Sequence, residues 1–141
     1  MKILIIDTNV LFAFFGSKRV VEIFKKLYLS GVKLIVPQFV MEELENLREK
    51  ITKRGITKEE YANSFQLLKL LIEVVPKSEY EIFLDEALKI SPHKEDAPLF
   101  ALFLAFNKSP IWSREPRLKR QKIIQVLSDR EVETLISGYS S

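Results

Sequence analysis

The chain has 141 residues, 47% of them hydrophobic and 29% charged, with no cysteine and a formal net charge of +3. This length suits one domain spanning 1–141 that buries roughly two-thirds of its unfolded surface, and the lack of cysteine excludes a disulfide framework and a thiolate metal site. No apolar run approaches the roughly 20 residues of a membrane helix, and Met1-Lys2-Ile3-Leu4-Ile5-Ile6-Asp7 reaches an acid too early for a signal peptide, so a soluble cytoplasmic protein is expected.

Residues 2–6 form a β-branched and aliphatic run that predicts a short buried strand ending at Asp7. Val20, Val21, Ile23, Phe24, Leu27 and Tyr28 recur at helical spacing over 19–30, and Ser30-Gly31 closes that helix. Lys33-Leu34-Ile35-Val36 predicts a second buried strand, stopped by Pro37, which also suits the first turn of a following helix. A long helical pattern then runs to about Ile51 and breaks at Gly55, and another covers 58–73 with Thr57 as its cap. Val74-Val75-Pro76 reads as a short strand or its remnant, 79–89 and 94–107 as helices, 110–113 and 123–126 as strands, and 128–137 as a closing helix. Strands alternating with helices predict an α/β fold with a mainly parallel sheet, whose ligands bind beyond the carboxyl ends of the strands.

Four acids fall where such a sheet keeps its ligands. Asp7 ends the first strand, and Glu115 follows the strand at 110–113. Asp96 opens the apolar helix Ala97-Pro98-Leu99-Phe100-Ala101-Leu102-Phe103 and shares a stripe with Leu99, Phe100 and Phe103. Among Glu42, Glu43 and Glu45, a turn of about 100° per residue puts only Glu43 on the shoulder of the stripe Val40, Leu44, Leu47, Ile51. Each acid has a plain alternative as a cap, a boundary residue or a loop acid paired with Arg114 or Arg117. Together they would repel one another unless a cation sits among them, and Mg²⁺ or Mn²⁺ suits an all-oxygen set. Zinc does not, with no cysteine and only His93, in Ser91-Pro92-His93-Lys94, which reads as a surface residue. Two basic clusters, Arg114, Arg117, Lys119, Arg120 and Lys122, and Arg48, Lys50, Lys53, Arg54 and Lys58, fit either solvated faces or a polyanion-binding surface.

Asp7-Thr8-Asn9, then Val40-x-x-Glu43-Leu44, then Asp96 before an apolar helix, then Ile111-Trp112-Ser113-x-Glu115 resembles the PIN-domain nucleases over nearly the whole chain. The resemblance implies a three-layer α/β/α sandwich and one or two Mg²⁺ or Mn²⁺ ions at the carboxyl edge of the sheet. It assigns metal-ligand roles to Asp7, Glu43 and Asp96, and places Asn9 and Ser113 as supporting polar residues. Glu115 matches a position usually held by Asp, with a carboxylate one CH₂ further out. The implied activity is a metal-dependent ribonuclease acting through a metal-activated water, which leaves 5′-phosphate and 3′-hydroxyl ends. Arg114, Arg117, Lys119, Arg120 and Lys122 would then steer the RNA.

The family includes toxins of VapBC-type toxin–antitoxin modules and RNA-processing nucleases, so an antitoxin partner stands as one alternative. Homodimers are common in it, and Phe65, Leu68 and Leu71 are either such an interface or core. The rival to catalysis is a weak or inactive PIN-like module for RNA binding or assembly. A phosphatase of the haloacid dehalogenase type fits poorly, because it needs a second Asp where Asn9 stands.

Overall fold

The computed structural model describes residues 2–139, with side chains described to Ser137; Met1, Ser140 and Ser141, the ends of the expected span, lie outside the described residues. The chain opens with strand β1 (Ile3–Ile6), helix α1 (Thr8–Phe14) and helix α2 (Lys18–Leu29), followed by β2 (Lys33–Pro37), α3 (Gln38–Asn46), α4 (Arg48–Thr52) and α5 (Lys58–Leu71). Then come β3 (Glu73–Val75), α6 (Leu84–Ile90), α7 (Ala97–Ala105), β4 (Ile111–Trp112), α8 (Pro116–Arg120), β5 (Val126–Leu127) and α9 (Asp129–Tyr139). The strands form one all-parallel sheet in the order β3-β2-β1-β4-β5. Helices cover the sheet in an α/β/α sandwich, with α2 packed on α9 and α7 on α6.

Local chemistry explains most boundaries. Ser17 caps α2 by accepting a hydrogen bond from Val20 N, and Gly31 takes a left-handed φ of +82° just beyond the helix end. Thr57 and Glu60 cap α5 reciprocally, and Ser128 and Glu131 exchange the same pair of bonds at the start of α9. α7 buries Leu99, Phe100, Leu102 and Phe103, as its nearly uniform apolar surface requires.

Three expectations shift, and one open alternative resolves. The long helix after Pro37 breaks at Leu47, whose φ of −90° and ψ of 2° interrupt the ladder between α3 and α4. The helix expected over 79–89 begins instead as two short 3₁₀ turns, Lys77–Glu79 and Glu81–Phe83, ahead of α6. The strand expected at 123–126 lies at Val126–Leu127, because the Gln121 side chain satisfies the backbone of Ile123 and Ile124 that a strand would pair. Leu68 and Leu71 belong to the core, with Phe65 half-buried against it, so none of the three marks a free interface. No helix among the described residues is long and apolar enough to cross a membrane.

Candidate metal centre

β1 and β4 are neighbours in the sheet although their connections leave in opposite directions, so the strand order reverses between them. Such a reversal leaves a crevice beyond the strand ends. The register Ile6↔Trp112 brings the next residues, Asp7 and Ser113, side by side. Asp7 N donates to Trp112 O at 3.0 Å, and Ser113 Oγ donates to Asp7 Oδ2 at 2.7 Å. The other carboxylate oxygen, Oδ1, caps α1 by accepting from Thr8 N at 2.8 Å. Asp7 therefore has both oxygens held by the chain before any ligand arrives.

The remaining acids converge on the same crevice, a cavity of about 180 Å³ lined among others by Asp7, Asn9, Glu43, Asp96 and Glu115. Glu43 lies on α3 directly after β2; it is half-buried, while Glu42 and Glu45 face solvent. Its Oε1 accepts from Thr8 Oγ1 at 3.1 Å, a contact that assigns Thr8 a part the sequence pattern did not single out. Asp96 closes a 3₁₀ turn, Lys94–Asp96, and is buried at 7% exposure at the start of α7. Its Oδ2 has no hydrogen-bond partner. Glu115 spans the crevice and the next element, because its Oε1 caps α8 by accepting from Arg117 N at 3.3 Å.

Sequence reasoning separated the basic residues less well. Arg117 turns into the crevice, with Nη2 3.5 Å from Asp96 Oδ2 and 3.8 Å from Glu95 Oε1. That separation from Asp96 supports charge attraction but is long for a hydrogen bond. Arg114 pairs with Asp129 at 2.8 Å and donates its backbone N–H to Asn9 Oδ1 at 3.1 Å. Lys119 pairs with Glu131. Arg120 and Lys122 point to solvent and have no ion-pair partner among the described residues. His93 is also exposed.

Burial and mutual repulsion set the electrostatics. Burial pushes the Asp7 carboxyl up; Ser113 and Thr8 oppose this through their hydrogen bonds, Glu115 adds to it, and Arg117 opposes it. Glu43 is raised by burial and by the charges of Asp7 and Asp96, against the Thr8 hydrogen bond. Asp96 is raised by burial, with Arg117 drawing it down and Asp7 and Glu95 adding repulsion.

Among the described residues, no group of three Asp, Glu or His side chains is arranged as a ready-made metal cage. The fit to a divalent cation rests on the donor set: four hard carboxylates around one cavity, a buried oxygen on Asp96 that accepts no hydrogen bond, and charges that repel one another.

The metal-free protein should therefore become more stable as pH falls from neutral towards the ordinary carboxyl range. A carboxyl raised on folding weakens the folded state above its folded pKa. That penalty fades as pH falls through the raised pKa towards the ordinary values of 3.8 for Asp and 4.5 for Glu. Asp129 behaves oppositely. Burial raises it, but the hydrogen bonds from Arg114 and Trp112 outweigh that and hold it low, so its contribution is lost only below its ordinary 3.8. Melting curves in chelator across this range check the sign; a temperature that falls throughout would remove the repulsion from the account.

A family model described as a PIN domain matches residues 5–132. Among solved structures, the chain is similar to one in the crystal structure of VapBC2 from Rickettsia felis bound to a DNA fragment from their promoter. The likeness has a TM-score of 0.62 at 14% identity and covers 89% of this chain and 98% of that one. No curated protein sequence matches.

Proposed function

The chain belongs to the PIN-domain family, matched over residues 5–132, and from that premise we propose that it is a divalent-metal-dependent ribonuclease and the toxin half of a toxin–antitoxin pair. The observation that carries this reading is the convergence of Asp7, Glu43, Asp96 and Glu115 on one cavity at the reversal of strand order. The likeness to the VapBC2 structure favours an antitoxin partner over a role in RNA processing. RNA is the substrate, with Mg²⁺ or Mn²⁺ as cofactor and the cytoplasm as the place of action.

Asp7, Glu43, Asp96 and Glu115 would hold the cation, and when bound it would lower the pKa of a water and polarise the scissile phosphoryl oxygen. The chain's own groups prepare the rest. Ser113 and Thr8 hold the Asp7 carboxylate in place, and Thr8 also restrains Glu43. Arg117 faces the acids from the crevice wall, where a guanidinium can meet a substrate phosphate. Arg120 and Lys122, free of ion pairs among the described residues, lie ready to attract the RNA backbone. Hydrolysis would break the P–O3′ bond, leaving a 5′-phosphate and a 3′-hydroxyl.

The test is cleavage of a labelled single-stranded RNA with Mn²⁺, with Mg²⁺ and in chelator. Cleavage that requires the metal, together with a metal-induced rise in melting temperature, is the expected result. Binding without cleavage under every condition would replace the nuclease with the non-catalytic RNA-binding module.

A further inference from the structure

One hydrogen bond links the lining of the acid cavity to that of a larger one. A second cavity of about 400 Å³ is bordered by Phe12 and Phe15 of α1 and its exit, by Arg54 and Ile56 beyond α4, and by Arg114. Asn9, which lines the acid cavity, accepts the backbone N–H of Arg114, which lines the second. Phe12 lies one turn beyond Thr8 on α1, about 6 Å along the axis. A single strand lying across the acids and following α1 would meet this cavity.

The chemistry of the second cavity matches a nucleotide. The half-buried Phe12 ring has the Arg54 guanidinium 4.4 Å from its centroid and Lys50 Nζ at 6.0 Å. Gly55, at a φ of +93° open to glycine, turns the chain so that Arg54 and Ile56 both border the cavity. None of Arg48, Lys50, Lys53, Arg54 and Lys58 forms an ion pair among the described residues, whereas Arg114, Arg117 and Lys119 all do. The basic cluster that the active-site reading leaves unused is thus the less neutralised of the two. Cations without ion pairs among the described residues, one of them the Arg54 guanidinium lying over the Phe12 ring, beside a volume in the range of small-ligand pockets, are the parts of a single-strand binding surface: phosphates meet the cations and bases stack on the aromatic ring or on the guanidinium plane.

We propose that this cavity is a nucleotide subsite that receives the base flanking the scissile phosphate, stacked on the Phe12–Arg54 pair, with Lys50 facing the neighbouring phosphate. The proposal rests on the reading of the acid cavity as the place of phosphodiester cleavage. A protein segment is the rival occupant; it would exploit Ile51, Ile56 and Phe15 but leave the unpaired basic cluster without a counter-charge.

Fluorescence anisotropy with a labelled single-stranded oligouridylate in chelator tests it without turnover. Phe12→Ala and Arg54→Glu should each weaken binding about tenfold or more; Arg54 is exposed, so its substitution does not endanger the fold. Moving an abasic residue through the oligonucleotide should reveal one position whose loss weakens wild-type binding but adds nothing in Phe12→Ala. Equal affinities in all three proteins overturn the subsite and leave the cavity to a protein segment. A loss in Arg54→Glu with no abasic position coupled to Phe12 overturns the base-stacking role. Because binding alone is read, metal-dependent cleavage with unchanged affinities would sink the subsite and spare the nuclease, and coupled affinity losses without cleavage would do the reverse.

Discussion

Asp7→Asn should reduce Mn²⁺-dependent RNA cleavage by at least about a hundredfold while raising the melting temperature of the metal-free protein. The floor of a hundredfold is the upper end of what removal of a partner one step outside a metal's own ligands costs. The substitution is nearly isosteric, and Asn Oδ1 can still accept from Thr8 N, which now bonds Asp7 Oδ1. Ser113 Oγ, which donates to Oδ2, can rotate and accept from the new amide instead.

What disappears is a buried negative charge that Glu115 repels and that in turn repels Glu43 and Asp96. Removing it relieves the folded state and would deprive a bound cation of the carboxylate that the chain holds most firmly, a trade of stability against activity often found at functional sites. The variant should also lose most of the stabilisation that Mn²⁺ gives the wild type. Cleavage at the wild-type rate would take Asp7 out of the site, and cleavage equal in Asp7→Asn and Asp96→Asn preparations would identify a contaminating nuclease.

Trp112→Ala should cost about 3–5 kcal/mol of folding stability, a large share of the roughly 5–15 kcal/mol a domain has. Trp112 is fully buried in β4, its ring 5.1 Å from that of Phe24 on α2. Its indole Nε1 donates at 2.9 Å to Asp129, the first residue of α9, which also takes Arg114. One side chain thus links the sheet, a covering helix and the start of the last helix. Trp112→Phe keeps a ring against Phe24 but leaves Asp129 without the indole bond, so its loss should be intermediate. Urea unfolding followed by circular dichroism measures both, and a loss below about 1 kcal/mol for the alanine variant would show that the pocket collapses around it.

Local patterns carried much of the fold. The β-branched runs at 3–6 and 33–36, the cap at Thr57 and the stop at Gly31 need only neighbours in sequence. Glu43 was separable from Glu42 and Glu45 because helical rotation is fixed by the backbone. What periodicity could not show depends on particular side-chain bonds, some to near neighbours and some to residues distant in the chain. Gln121 supplies side-chain bonds where a strand ladder was expected. Arg117 and Lys119 find partners at Glu95, Asp96 and Glu131, so a basic run that looks like one surface becomes mostly internal pairs. The pairing of Arg54 with Phe12 joins segments some forty residues apart, and no periodicity announces it. The acids were placed together because the strand–helix alternation predicts which ends share an edge.

The two halves of the sheet are unequal. β1 and β2 are four and five residues long, whereas β4 and β5 have two each. Short ladders open at lower free energy than long ones, so amide exchange should divide the sheet into a slow unit around β1 and β2 and a faster one around β4 and β5. The acid crevice straddles that boundary: Asp7 and Glu43 follow the long strands, while Ser113 and Glu115 follow β4. Whatever bridges the crevice therefore fastens two folding units to each other, and occupancy becomes visible as slowed exchange at the far edge of the sheet, in strand β5, which bears none of the four acids.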